Sequence, residues 1–182
     1  MKVSGYAHNL AVLDWQLFGT LTFKKTGPKP KMWGCAWLHF QRLARITGTE
    51  YSALRIALRY ELGEQTERPH FHYLLGGLAV KNHVSASYVA RREWGARVGS
   101  FATIRAYDSA QAGASYICKC LGANAYERSK FDSADEVCLS DAVFRDMNET
   151  RQFMQTAGLL PALAQPLAPV EKHPSVELGR YI

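Results

Sequence analysis

Residues 51–63, "YSALRIALRYELG", constrain the fold of this chain more than any other stretch. Leu54, Ile56, Leu58 and Tyr60 fall on one side of an extended backbone. Arg55, Ala57, Arg59 and Glu61 fall on the other, because successive side chains along a strand point to opposite faces. A period of two predicts a strand with one buried face. The polar run "LGEQTERP" (62–69) then reads as a turn, and "HFHYLLGG" (70–77) as a second strand, so 51–77 is expected to form an antiparallel hairpin. A lone hairpin cannot bury its apolar side, so further strands or helices must cover it.

Those elements are legible on either side. "QLFGTLTF" (16–23) is a third strand, with Leu21 and Phe23 in its core and the loop "FKKTGPKPK" ending it. Residues 32–48 carry Trp33, Trp37, Phe40, Leu43 and Ala44 at helical spacing and stop at Gly48, as a helix C-terminus does. The two tryptophans are expected to fill the core. A helix over 83–94, a strand over 98–106, a helix over 109–121 and a helix over 134–157 follow. The order β-α-β-β-α-β-α predicts an α+β fold, a central antiparallel sheet flanked by helices. With 182 residues, the chain is expected to form one domain over 1–157. Residues 158–182, with four prolines and no period, read as a C-terminal arm or packing segment.

Charge and composition narrow the class. Lys plus Arg is 22 against 16 Asp plus Glu, a formal +6 that leans toward a polyanionic partner. The cations cluster as Lys24, Lys25, Lys29 and Lys31 after the first strand, and as Arg91–Arg92 on a predicted helix. All six are candidate phosphate contacts. No apolar run approaches the ~18–20 residues of a membrane span, and the apolar patch near the N-terminus is broken by Asp14, unlike a secretory signal. Cys35, Cys118, Cys120 and Cys138 lack disulfide-framework spacing and read as reduced thiols of a cytoplasmic protein. Cys118 and Cys120 lack the further ligands that zinc needs. His39 belongs to the helix over 32–48, Tyr107 reads as sheet packing, and His8, His83 and His173 show no partner.

His70 and His72, two apart on a strand, project together while Phe71 points into the core. Paired neutral imidazoles can bind one metal ion. They can also be an exposed pair on a sheet surface. Glu61, on the neighbouring strand, is the expected third ligand, with Glu64 and Glu67 in the turn as rivals. Two histidines and a carboxylate leave coordination positions open to water or a phosphate oxygen, which suits Mg²⁺ or Mn²⁺. In "SYICKCLG", Tyr116 and Lys119 lie at i and i+3 on a predicted helix, on the same side. A phenol of ordinary pKa near 10 can attack a phosphodiester when its anion is stabilised.

In this order, "FGTLTF", Glu61 with "RPHFHYLL", and "YICK" resemble the three motifs of HUH endonucleases. The nearest kind is the rolling-circle replication initiator of small plasmids, phages and single-stranded DNA viruses. The resemblance spans about residues 16–122. It implies an RRM-like antiparallel sheet, and a divalent metal held by His70, His72 and Glu61. It implies that Tyr116 attacks the scissile phosphate, keeps the 5′ phosphate as a phosphotyrosine and frees a 3′ hydroxyl, with Lys119 orienting metal and phosphate. The first motif, including Thr20 and Thr22, would contact single-stranded origin DNA. No G-x-x-x-x-G-K-[ST] is present, so unwinding and synthesis would fall to a host helicase and polymerase. One tyrosine in the motif speaks against a two-tyrosine mechanism. A single-tyrosine transposase or a relaxase would share the chemistry, although relaxases commonly place a third histidine where Glu61 stands. A non-catalytic nucleic-acid-binding module remains the alternative of another class.

Overall fold

The structure, a computed structural model, describes residues 10–63, 68–98, 100–111, 113–117 and 136–156. Five strands form one sheet: β1 (Leu17–Thr22), β2 (Arg55–Leu62), β3 (Pro69–Gly76), β4 (Ala102–Ala106) and β5 (Glu136–Leu139). Their order is β4-β1-β3-β2-β5, and every neighbouring pair is antiparallel. Among the described residues, the helices that accompany them include α1 (Lys29–Ile46), α2 (His83–Val98), α3 (Gly113–Ile117) and α4 (Asp141–Thr156). The α+β expectation holds, and β2 and β3 form the hairpin read from their alternation.

One face of the sheet is a dense core. Leu17 and Leu21 of β1, Ile56 and Leu58 of β2, and Phe71 and Tyr73 of β3 lie beneath α1 and α2. The Trp33 ring sits 4.7 Å from Phe71, and Trp94 sits 5.2 Å from Phe23. The Tyr73 ring lies across β1 at Gly19, where even a methyl group would collide with it, so only glycine fits there. His39 is buried in this layer against the Glu93 carboxylate, which Arg97 also holds at 3.2 Å. His83 does have a partner, the Gln16 side chain at 3.3 Å.

The opposite face is only partly covered. Leu10, Leu13 and Trp15, with Ala114 and Ile117 of α3 and Val143 and Met147 of α4, pack over Ala57 and Leu74. Glu61, His70 and His72 lie on this face too, nearer the end where β2 turns into β3.

Three expectations are corrected. The segment 134–157 is not one helix: residues 136–139 form β5, paired with β2 from Ala57↔Leu139 to Tyr60↔Glu136, and α4 begins only at Asp141. Ser140 fixes the junction, accepting the Ile56 N–H at 3.0 Å and donating to the Leu54 carbonyl at 3.0 Å. The helix expected over 109–121 is a 3₁₀ turn at Ser109–Gln111 followed by α3, and residues 118–121 lie outside the described residues. Helix α1 starts at Lys29, because Pro28 and Pro30 are tolerated where backbone N–H groups have no helical partner anyway. Lys29 and Lys31 are therefore first-turn helix residues rather than loop residues. The expected stop is kept, with Gly48 at φ 65. The arm proposed for 158–182 also lies outside the described residues.

Candidate metal and tyrosine site

Register alone assembles most of the site. Across three strands, Thr20 pairs with His72 and His72 with Arg59, while Thr22 pairs with His70 and His70 with Glu61. Partners in register share a face, so all six side chains project from the half-covered side. One ligand atom from each of Glu61, His70 and His72 lies within 4.8 Å of the other two. Among the described residues, this is the cluster of three such groups able to hold a metal ion.

The donor chemistry fits a metal ion. The His70 Nδ1 lies 3.1 Å from the Arg68 carbonyl, which can only accept, so Nδ1 carries a proton and Nε2 is the nitrogen left to face a metal. His72 Nδ1 lies 2.9 Å from the Thr20 hydroxyl; with Thr20 accepting, His72 also presents Nε2. Burial first, then the neighbouring His70 and Arg59, pushes the His72 pKa down to about 3. The ring is neutral at neutral pH, the state a ligand needs. Its 3.5 Å approach to the Glu61 carboxylate is therefore not an ion pair.

Tyr116 reaches the same point from α3. Its hydroxyl lies 3.3 Å from His72 Nε2 and 3.4 Å from Glu61 Oε2, with the ring edge-on to His72 at 4.8 Å. Beneath it, Arg59 is 1% exposed. Its guanidinium lies 3.2 Å from Glu61 Oε2, donates to the Tyr116 carbonyl at 3.1 Å, and sits 5.4 Å from the tyrosine ring centre. A buried cation persists only when paired, and here the pairing ties the carboxylate and α3 to the same strand. Arg59 thus joins the site, although the sequence reading placed it only by its face.

The other expected residues divide by location. Thr20 serves to hold His72. Lys24 and Lys25 are exposed just past the end of β1 that pairs with His70. Arg91 and Arg92 are exposed on α2, and Lys31 on α1, in the layer on the other side of the sheet. Lys29 lies in that layer too, its amine 4.8 Å from the Tyr60 ring centre. Lys119, Glu64 and Glu67 fall outside the described residues. Tyr107 is half-buried beside α3, and burial raises its phenol pKa. Cys35 and Cys138 are half-buried and in no disulfide among the described residues, and Cys118 and Cys120 lie outside the described residues. No helix among the described residues is long and apolar enough to cross a membrane. Comparison with known protein families, curated proteins and solved structures finds no match.

Proposed function

We propose that this chain nicks and rejoins single-stranded DNA by transesterification through Tyr116, as a rolling-circle replication initiator does. One observation carries the reading. A tyrosine hydroxyl from α3 lies within 3.4 Å of a carboxylate on β2 and an imidazole on β3, 55 and 44 residues away in sequence. A phenol beside a metal-ligand triad is suited to attack on a phosphorus held by that triad.

A divalent ion on Glu61, His70 and His72, Mg²⁺ or Mn²⁺ by ligand chemistry, would polarise a phosphate oxygen and favour the phenolate. The residues of the chain do the rest. Glu61 Oε2 accepts from the Tyr116 hydroxyl and, with Arg59, orients it. As Tyr116 Oη bonds to phosphorus it loses its proton, the bond from phosphorus to the 3′ oxygen breaks, and that oxygen leaves as a hydroxyl. The 5′ phosphate stays on the tyrosine. Attack by a later 3′ hydroxyl reverses every step and joins two strands.

The test is a library of single-stranded oligonucleotides incubated with Mn²⁺ and read for a covalent adduct under denaturing conditions. The intact chain should form one. Tyr116→Phe should lose adduct formation by about a thousandfold or more while binding DNA within about twofold. An adduct of undiminished yield from Tyr116→Phe would remove the assigned nucleophile.

A further inference from the structure

Next to Tyr116 the half-covered face opens into a cleft of about 250 Å³, in which Phe18, Arg105 and Tyr107 have no part in the nicking reaction. Its walls are the rings of Phe18, Tyr107 and Tyr116, and Gly113 lies at its base. A methyl group on Gly113 would come within 3.0 Å of the Tyr107 ring and 3.2 Å of the Phe18 ring, so glycine keeps the space between these rings open. Phe18 stands edge-on to Tyr116 at 6.3 Å, and the exposed Arg105 guanidinium lies 5.4 Å from the Phe18 ring centre. Gln111 is held at the rim by the Asp108 carboxylate at 2.9 Å. His72 also lines the cleft, so whatever occupies it abuts the tyrosine and the ligand triad.

We infer that this cleft receives the unstacked nucleobase next to the scissile phosphate. The inference rests on the nicking reading above and adds a specificity site to it. Aromatic walls offer π-faces for a planar ring, and the cation at the rim is placed for a flanking phosphate, the combination that holds single strands. An apolar peptide side chain would use the walls and leave Arg105 without a role. Phe18 and Arg105 are specificity residues of this subsite, and Tyr116 alone bonds to phosphorus.

The experiment takes an oligonucleotide that forms the adduct and places an abasic site on either side of the cleaved linkage in turn. At one of the two positions the adduct rate should fall about tenfold, as loss of one base stack predicts. In Phe18→Ala, and in Arg105→Ala, where the changed residue is exposed and the fold is not at risk, that penalty should shrink to about threefold or less. Equal rates for intact and both abasic substrates would overturn the subsite and leave the nicking reading standing. So would a full penalty retained in both variants. No adduct with any oligonucleotide would remove the nicking reading, and the subsite with it.

Discussion

The two faces of β3 are built from the same eight residues and obey different physics. On the helix-covered side, Phe71 and Tyr73 are fully buried, and Phe71 meets the rings of Phe23, Trp33 and Tyr60 at 4.7–5.9 Å. Each such pair adds about 0.5–1.5 kcal/mol beyond the apolar area it removes from water. On the half-covered side, His72 stays neutral well below the pH at which a free imidazole takes up a proton, and Arg59 is buried as a charge. Those groups cost free energy to place there, and only their mutual contacts offset it. One side of the sheet supplies the stability that lets the other keep polar groups close together.

Substitutions along this divide test it. Phe71→Ala should cost about 3–5 kcal/mol in urea unfolding, the range for emptying an aromatic core position. Its neighbour His72→Ala should cost about 1 kcal/mol while abolishing metal-induced stabilisation; similar costs for the two would dissolve the contrast. Next in size, Arg59→Ala should cost about 3 kcal/mol by stranding Glu61, whereas Arg59→Met, of similar shape, should cost far less if the charge is tolerated rather than needed for folding.

A pH series follows. The folded-state pKa of His72 is lowered from 6.5 to about 3, so between those values the unfolded chain binds a proton that the fold refuses. Stability is therefore greatest above pH 6.5 and falls as pH drops toward 3, by at most ~1.4 kcal/mol per pH unit for one proton. Thermal melts without metal should show about 2 kcal/mol lost by pH 5 relative to His72→Ala; parallel curves would mean that the ring is charged in the fold. Smallest of all, Thr20→Val should weaken Mn²⁺ binding about tenfold in calorimetry and change stability by under about 1 kcal/mol. An unchanged affinity would show that Thr20 does not orient His72.

Much of this contrast was written in the alternation of 54–62 and 70–76, because one face of each strand had to be apolar and the other did not. That pattern alone sets Glu61, His70 and His72 on one face of the hairpin. Arg59 was visible in the same row, but its burial was not, since a strand's sequence does not say how deeply its polar face is covered. Thr20 was expected at DNA; its contact to His72 depends on β1 lying beside β3, a pairing between distant segments. Strand β5 was missed because four residues, "EVCL", are too short to show a period, and the free edge of β2 decided their conformation.

That fifth strand has a consequence for the order of events during synthesis. Until residues 136–140 have left the ribosome, β2 can be paired only through β3, and its outer backbone groups have no neighbouring strand to meet. The hairpin that carries Glu61, His70 and His72 is thus closed along its outer edge by a segment distant in sequence, with a Ser140 contact that spans 84 residues to Ile56. A chain lacking that strand would leave the edge of β2 away from β3 unpaired.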